Sequence, residues 1–399
     1  MSTTMESVVI VGAGQAGFRA AERLRELDFG GRITMVGDEP RHPYNRTPMS
    51  KQLLTGHLDV EDLRLPSWRD LDVAWRLGAS ANALDTTEHL VRLGGREVLP
   101  YDGLILAGGV SARHLPGTPM HSEHVWMLRT LDDCRKIDHL LERANHVVVI
   151  GGGFIGCELA STCRQRVLDV TIIDVSPSIM MRGLGPQLGV VMGDLHTDSK
   201  VKLHLGVAVD SWQERPDGIT VLLADGERIE AGMAVVGVGT TPNTDWLETS
   251  TLDVENGVLC TPTCHAVGAP DVVACGDIAR WPNLRFDDEP RRIEHWLNAI
   301  EMGQHAASSL LLGPERAEPF TPIPRFWSDQ HGHRIQSVGM PDLGSMTISE
   351  GSTADRRFVA TFDRDGRTVG AIAMDSPRRM IHYSEVIAQD CPVNLELAA

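Results

Sequence analysis

The chain has 399 residues, of which 42% are hydrophobic and 23% are charged, and its formal net charge is −17. This composition is typical of a folded globular protein with two or three domains. The acidic balance argues against nucleic acid as a general partner, because binding phosphates requires a basic face.

The cysteines and the apolar segments indicate where in the cell the protein works and which kinds of site it contains. Seven cysteines are scattered without a Cys-x-x-Cys pair, so the sequence predicts neither a redox dithiol nor a zinc site. Met1 to Ser7 has no basic targeting region, and the apolar run after it is far too short to span a bilayer. We therefore expect a cytoplasmic protein with no membrane segment and no metal.

A glycine-rich turn near the N-terminus follows a predicted buried strand at Val8 to Val11 and precedes a predicted amphipathic helix at Phe18 to Leu27. Such a turn presents free backbone N–H groups to a pyrophosphate. Asp38 ends the next strand, 21 residues after Gly17, where a carboxylate can accept hydrogen bonds from an adenosine ribose; a simple turn aspartate is the alternative. The predicted first glycine turn is Gly12, Gly14, Ala16 and Gly17.

The segment from Pro43 to Lys51 breaks strand periodicity with two prolines. Ser50 is a candidate N-cap for a helix beginning at Lys51. A lysine at a helix N-terminus opposes the helix dipole, so an anionic neighbour explains it better than solvent does. Without further context, a solvated lysine is the alternative.

The same pattern recurs in the middle of the chain. A strand at Val147 to Ile150 leads into a second Gly-x-Gly-x-x-Gly turn, and a helix is predicted to reach Arg166. Asp174 ends the next strand, 18 residues after the last glycine, and favours NAD over NADP, although Arg182 follows nearby. The residues of this second glycine turn are Gly151, Gly153, Ile155 and Gly156.

Further elements follow in order. We predict a three-stranded antiparallel excursion between residues 201 and 229, and a buried strand leading into Gly237-Val238-Gly239. Asp277 ends another buried strand, where ligands bind in open parallel sheets, with a turn aspartate as the alternative. A helix is predicted over residues 292–312. The proline-rich segment 319–324 marks a boundary before short strands at 334–339, 358–363 and 369–373 and a helix near Tyr383.

The ordered set of motifs resembles the two-dinucleotide-binding-domain flavoproteins. More narrowly, it resembles the putidaredoxin reductase-like class I ferredoxin reductases of bacterial oxygenase systems, over essentially the whole chain. The motifs that carry the resemblance are Pro48-Met49-Ser50-Lys51, Gly151 to Glu158, Gly237-Val238-Gly239, Ala274-Cys275-Gly276-Asp277, Arg292-Ile293-Glu294 and Phe326-Trp327-Ser328-Asp329-Gln330.

The resemblance implies an α/β fold with two Rossmann-like dinucleotide-binding domains and a C-terminal α+β domain. Residues 1–112 and 247–320 would form the FAD-binding domain, 113–246 the NADH-binding domain, and 321–399 the C-terminal domain.

The resemblance also implies the roles of individual residues. Lys51, Glu158 and Trp327 are the implied catalytic residues: Lys51 near the flavin ring, Glu158 beside the nicotinamide, and Trp327 over the flavin edge on the ferredoxin side. The residues implied to bind FAD are Gly12, Gly14, Ala16, Gly17, Asp38, Lys51, Ala81, Arg129, Asp277 and Trp296, and those implied to bind NADH are Gly151, Gly153, Ile155, Gly156, Asp174 and Gly239.

The implied function is electron transfer from NADH through FAD to a [2Fe–2S] ferredoxin that feeds a cytochrome P450 or a ring-hydroxylating oxygenase. A flavin suits this task because NADH delivers two electrons and an iron–sulfur cluster accepts one. Rubredoxin reductase, monodehydroascorbate reductase and an apoptosis-inducing-factor-like interaction protein are alternatives on the same fold. A disulfide reductase is disfavoured because no cysteine lies between Pro43 and Lys51.

Some positions depart from the family pattern. Ala107-Gly108-Gly109 lacks a threonine that relatives often carry, and Met49 replaces a usual leucine. Asn45 and Thr47 also differ from common choices, and Gln304-His305 carries little of the basic charge found in the docking helix of some relatives.

Overall fold

The computed structural model describes residues 5–67, 70–119 and 121–398. Part of the Met1 to Ser7 segment considered above lies outside these residues. The α-helices of the described chain are α1 (Gln15–Glu26), α2 (Leu131–Leu141), α3 (Phe154–Gln165), α4 (Met181–Asp198), α5 (Trp296–Leu312) and α6 (Pro377–Asp390).

The strands of the first half alternate with these helices and with two antiparallel inserts. They are β1 (Ser7–Val11), β2 (Arg32–Gly37), β3 (Val73–Leu77), β4 (Ala81–Asp85), β5 (Leu90–Leu93), β6 (Val98–Pro100), β7 (Gly103–Leu106), β8 (Val110–Ala112), β9 (Val125–Met127), β10 (His146–Ile150), β11 (Asp169–Asp174), β12 (Val201–Leu205), β13 (Val209–Arg215), β14 (Gly218–Leu223) and β15 (Arg228–Ala231).

The strands of the second half complete both parallel sheets and form the C-terminal sheet. They are β16 (Met233–Val236), β17 (Thr240–Pro242), β18 (Val258–Leu259), β19 (Val272–Ala274), β20 (Ala279–Pro282), β21 (Pro290–Arg291), β22 (Arg325–Gln330), β23 (His333–Gly339), β24 (Ser345–Ser352), β25 (Arg357–Arg364) and β26 (Arg367–Met374).

Two five-stranded parallel sheets have the same plan. The first has the order β19-β7-β1-β2-β3 and the second the order β12-β11-β10-β16-β9. Each places a strand that ends in a glycine turn, β1 or β10, next to the point where the strand order reverses. Ligands of open α/β sheets bind at this switch point, outside the carboxyl ends of the strands.

The strands of the first sheet come from two separate parts of the sequence: β1, β2, β3 and β7 precede the segment that forms the second sheet, and β19 follows it. The chain crosses between the sheets at β8 and β17, and these two short strands pair with each other in antiparallel register. Antiparallel inserts β4-β5-β6 and β13-β14-β15 accompany the first and second sheets, respectively. The C-terminal sheet is antiparallel, in the order β22-β23-β26-β25-β24, with α6 packed against it.

The hydrophobic cores show how the three parts meet. One core lies around the first sheet, α1 and α5, and contains Ile10, Leu24 and Met302. A second core is continuous from one face of the second sheet into the C-terminal sheet, and includes Ile172 and Phe358. The C-terminal sheet is therefore packed directly onto the second parallel domain.

The α/β class, the two Rossmann-like parallel sheets and the C-terminal α+β part are confirmed, and the structure shows that the C-terminal sheet is antiparallel. Three local predictions were wrong. No helix begins at Lys51, because a short 3₁₀ helix at Thr47–Ser50 ends there and turns follow. The strand β12 joins the second parallel sheet, so the antiparallel excursion has only the strands β13 to β15. The helix α5 begins at Trp296, four residues later than predicted.

Several elements were not predicted, among them β3, the edge strand of the first parallel sheet, and the helix α4. The helix α4 contains Gly185 at a positive φ of 75° followed by Pro186, and such residues normally break a helix. The strands β22 and β24 were also missed. The first of these carries Trp327 and its neighbours, so the most characteristic motif of the C-terminal part lies on an edge strand of its sheet.

Candidate functional site

The first glycine turn lies at the carboxyl end of β1, against the end of β7. Gly12 has φ of +122°, and a Cβ there would lie 2.0 Å from the carbonyl oxygen of Ala107. A Cβ at Gly17 would lie 2.1 Å from the carbonyl oxygen of Gly12. Only glycine fits these two positions, so the turn can pass close to β7 and to its own helix.

The second glycine turn repeats this geometry at the end of β10, against the end of β16. Gly151 has φ of +103°, and a Cβ there would lie 2.3 Å from the carbonyl oxygen of Gly237. A Cβ at Gly156 would lie 2.1 Å from the carbonyl oxygen of Gly151. The two turns therefore use equivalent glycines for equivalent close approaches.

The middle glycine of each turn has a different environment. A Cβ at Gly14 or Gly153 would meet no protein atom within 4 Å. These glycines are the N-caps of α1 and α3, and neither helix has a side-chain cap, whereas α2 begins with a full capping box between Thr130 and Asp133. The free N–H groups of α1 and α3 are thus available to a pyrophosphate, which fits a dinucleotide at each turn.

Unpartnered polar atoms also mark the first turn and its surroundings. The side-chain amide nitrogen and oxygen of Gln15, the first residue of α1, are shielded from solvent and have no partner among the described residues. The indole Nε1 of Trp296 is in the same condition. Buried polar groups are normally hydrogen-bonded, so these residues fit a polar cofactor such as FAD.

Asp277 lies in a 3₁₀ helix directly after β19, at the carboxyl edge of the first sheet. Burial raises the pKa of its carboxyl to about 6, and the positive charge of Arg129, whose Nη2 is 3.7 Å from Asp277 Oδ2, opposes the rise. Arg46 donates to the backbone carbonyl of Arg129 at 2.7 Å and pairs with Glu39. The structure thus brings Arg129 and Asp277 together and adds Arg46, which sequence reasoning missed.

Asp174 lies at the end of β11 and is hydrogen-bonded to the second glycine turn. Its two carboxylate oxygens accept hydrogen bonds from the backbone N–H groups of Gly152 at 2.6 Å and Ser176 at 2.7 Å. These bonds hold the carboxylate at the end of β11, beside the turn, where an adenosine ribose lies in this type of fold. Gly239 lies after the neighbouring strand β16, with φ of +107° and the Arg182 side chain close by.

Lys51 and Glu158 form an ion pair, with Lys51 Nζ 2.7 Å from Glu158 Oε2. Glu158 is buried in α3, the helix of the second glycine turn, whereas Lys51 follows the 3₁₀ helix of the first domain. Ser50 Oγ donates to Glu158 Oε2 at 2.6 Å, and Ser328 Oγ donates to Glu158 Oε1 at 2.7 Å. Glu158 therefore receives donors from the first domain and from the C-terminal sheet.

Ser50 and Ser328 were not predicted as site residues. Ser328 has a sequence signal, because in the strand β22 it alternates with Trp327 and must point to the opposite face. Ser50 was predicted to cap a helix, and its hydroxyl instead bonds a residue 108 positions away. Only the packing of the domains reveals that contact.

A surface pocket of about 380 Å³ lies where the first domain meets the C-terminal sheet. Lys51 and Trp327 both line it, together with Arg334. The indole ring of Trp327 makes an edge-to-face contact with that of Trp296, with 5.9 Å between ring centroids. Of the remaining predicted residues, Asp38 is exposed directly after β2 and Ala81 begins β4, and neither lines this pocket.

The described residues contain no group of three or more His, Cys, Asp or Glu side chains that could hold a metal ion. None of the helices in the described ranges combines the length and apolar character needed to cross a membrane. The site combines two glycine turns suited to dinucleotides with an ion pair between the buried Glu158 and the partly shielded Lys51, and this combination defines the class of two-dinucleotide-binding flavoprotein reductases.

Comparison with known proteins agrees with this class. The family model described as pyridine nucleotide-disulphide oxidoreductase matches residues 6–303, and the one described as reductase C-terminal matches residues 325–399. The chain belongs to the pyridine nucleotide-disulphide oxidoreductase family, whose ferredoxin–NAD⁺ reductases use FAD and NADH.

The relatives narrow the family to the putidaredoxin reductase-like ferredoxin reductases of oxygenase systems. Rhodocoxin reductase of Rhodococcus erythropolis is 31% identical, over 98% of this chain and 92% of the relative. The ferredoxin reductase component of chlorobenzene dioxygenase from Cupriavidus sp. (strain PS12) is 32% identical, over 93% and 90%. The solved covalent putidaredoxin reductase–putidaredoxin complex matches with a TM-score of 0.91 and 29% identity, over 98% of this chain and 95% of that one.

Proposed function

We propose that this protein is an FAD-dependent NADH:ferredoxin oxidoreductase that supplies a [2Fe–2S] ferredoxin of a cytochrome P450 or ring-hydroxylating oxygenase system. The observation that carries the proposal is the position of Lys51. It pairs with Glu158 on the helix of the second glycine turn, and it also lines the surface pocket that contains Trp327. Lys51 thus contacts both the proposed NADH side, where electrons would enter, and the Trp327 pocket, where they would leave.

We assign FAD to the first glycine turn and NADH to the second. The first turn is supported by Gln15, Trp296 and the Arg129–Asp277 pair, which surround it with unpartnered or charged groups. The second is supported by Asp174, whose carboxylate favours a free ribose hydroxyl over a 2′-phosphate. The corresponding domains are 1–112 with 247–320 for FAD, 113–246 for NADH and 321–399 for the C-terminal domain.

The bound FAD supplies the ability to accept two electrons from NADH and to release them singly. The protein's residues position and stabilise the participants. The Lys51 ammonium offers a fixed positive charge, which stabilises negative charge that develops in a site shielded from water. Glu158 holds that ammonium in place, while Asp174 fixes the adenosine end of NADH at the second turn.

Cysteine-based reduction is not supported. Cys157 lies beside Glu158, but it is fully buried, and this burial raises the pKa of its thiol far above the usual range. A buried neutral thiol is a poor nucleophile. All seven cysteines are buried and free of disulfides, which supports a location in the reducing cytoplasm.

The test is an anaerobic reaction of the FAD-loaded protein with NADH or NADPH, followed by transfer to a panel of acceptors. We expect NADH to reduce the protein much faster than NADPH does, and at least one [2Fe–2S] ferredoxin to accept the electrons. Rubredoxin and monodehydroascorbate serve as competing acceptors. Efficient reduction of either one, with no transfer to any ferredoxin, would contradict the proposal.

A further inference from the structure

A buried chain of hydrogen bonds leads from the surface of the C-terminal sheet to Glu158. Behind the Ser328 hydroxyl, which donates to Glu158, lies the amide of Gln330, whose Nε2 is 2.9 Å from Ser328 Oγ. Gln330 Oε1 lies 3.0 Å from His196 Nε2, and His196 Nδ1 lies 3.1 Å from His331 Nε2. The residues come from α3, α4, β22 and the turn that follows β22.

The direction of every bond in this chain is determined by chemistry. Gln330 Nε2 also lies 3.5 Å from the sulfur of Met180, which can only accept a hydrogen bond. The NH₂ group of the amide must therefore face Met180 and Ser328, and its oxygen must face His196. His196 then donates through Nε2.

The two histidines donate their hydrogen bonds in the same direction, toward Glu158. Burial lowers the pKa of His196 to about 4, so its ring carries one hydrogen at neutral pH. Because that hydrogen is on Nε2, Nδ1 must accept a hydrogen bond from His331. Burial, followed by the neighbouring His196, lowers the pKa of His331 to about 3, so this ring is also neutral. Ser328 Oγ accepts a hydrogen bond from Gln330 Nε2, so the hydroxyl hydrogen of Ser328 points to Glu158.

The chain is enclosed and anchored. Ser328, Gln330 and His196 are each at most 2% exposed. The backbone N–H of His331 donates to Ser161 Oγ of α3 at 2.7 Å, which ties the turn after β22 to the helix that carries Glu158. A fully satisfied polar network of this kind is rigid, because any member that turns away leaves a buried group unpaired.

We propose that Ser328, Gln330 and His196 are positioning residues for reduction by NADH, acting through Glu158. The chain terminates in the Glu158 carboxylate and aligns its Oε1, while Lys51 and Ser50 occupy Oε2. Loss of the Ser328 hydroxyl frees one side of the carboxylate to rotate, and the ammonium of Lys51 moves with it. This inference rests on the proposed assignment of NADH to the second glycine turn.

The first test concerns the hydrogen bonds themselves and needs no activity. In FAD-loaded protein labelled with ¹⁵N-histidine, long-range ¹H–¹⁵N spectra should show His196 as a neutral ring with its hydrogen on Nε2. The His196→Gln variant identifies the signal. Replacement of Gln330 by leucine should shift it. A hydrogen on Nδ1, or a signal unaffected by Gln330→Leu, would overturn the proposed chain.

The second test measures reduction of the FAD-loaded protein by NADH in single-turnover experiments. Ser328→Ala should slow this step roughly tenfold, the effect of losing one hydrogen bond to a charged group. Ser328→Thr, which keeps the hydroxyl, should recover most of the rate, and Ser328→Cys keeps the volume if the alanine variant folds poorly. Ser337→Ala is the matched control, since Ser337 is equally buried in the adjacent strand β23.

A double substitution decides whether Ser328 acts through Glu158. In a Glu158→Gln background, Ser328→Ala should slow reduction by less than about twofold, because residues that act as one unit are not additive. A further tenfold loss in that background would refute the inference. The measurement contains no ferredoxin, so a wrong electron acceptor in the proposed function leaves this result unchanged.

Discussion

The two glycine turns have nearly the same backbone geometry, but the helices that follow them lie in different surroundings. In the first turn the residue before the last glycine is Ala16, which is 6% exposed and is covered by α5. A Cβ on Gly303 of α5 would lie 2.4 Å from the carbonyl oxygen of Ala16. In the second turn the equivalent residue is Ile155, which is 42% exposed.

This difference suits the two proposed ligands. The tight packing of α5 on α1 encloses the first turn, which favours a cofactor that stays bound through many turnovers. The exposed start of α3 leaves the second turn accessible, as a site must be when NADH enters and NAD⁺ leaves. Under the proposed assignment, the glycine motif would provide a pyrophosphate site in each domain, and the packing around each turn would determine how long its ligand stays bound.

The largest effect is expected from the first glycine of each turn. Gly12→Ala and Gly151→Ala each force a Cβ to about 2 Å from a carbonyl oxygen, at a φ that side chains rarely adopt. We expect Gly12→Ala to give protein without FAD, and Gly151→Ala to keep FAD but lose NADH binding. Absorbance of the purified variants and NADH titration measure both. Loss of FAD from Gly151→Ala alone would reverse the assignment of the turns.

The enclosure of the first turn is tested at Gly303. Gly303→Ala should push α5 away from α1, lower the free energy of unfolding by about 1–3 kcal/mol and speed the release of FAD. Gly193→Ala is the matched control in α4, where the added Cβ meets only a leucine methyl group at 3.6 Å. It should be neutral or stabilise by up to about 1 kcal/mol, because alanine is the better helix former. Thermal unfolding and FAD dissociation rates give the comparison.

A smaller effect, confined to the second turn, is expected from Asp174→Ala. The change removes a carboxylate that accepts two backbone hydrogen bonds, so NADH affinity should fall roughly tenfold while FAD stays bound. The preference for NADH over NADPH should also shrink, since the charge that repels a 2′-phosphate is gone. Titrations with both nucleotides measure this, and the appearance of colourless protein would contradict it.

An effect that is absent at neutral pH concerns stability in acid. The folded protein keeps His196 neutral until the pH approaches 4, whereas the unfolded chain protonates it near 6.5. Below 6.5 the unfolded state binds the extra proton, so the free energy of unfolding falls as the pH drops toward 4. His196→Gln should flatten this part of the wild-type profile. Thermal midpoints of both proteins between pH 7 and pH 4 provide the test, and parallel profiles would contradict the assignment.

Only part of the candidate site could be predicted from the sequence. The glycine turns were readable because their geometry depends on short local spacing, whereas the ligand roles of Asp38 and Asp174 stay predictions. Ser50 and His196 were not readable, since their hydroxyl and imidazole act on residues more than a hundred positions away. Helix α4 was missed because its glycines and Pro186 contradict local helix propensity, while tertiary packing buries its apolar face.

By itself the sequence determined two dinucleotide turns, the parallel sheets that carry them and a separate C-terminal sheet. These follow from hydrophobic periodicity and from glycine, whose missing side chain has the same consequence in any context. Only the tertiary structure decided that Glu158 is bonded by Lys51 and Ser328 from two other parts of the chain, and that α5 covers one turn while the other stays open. Such contacts depend on how domains pack, which no local pattern encodes.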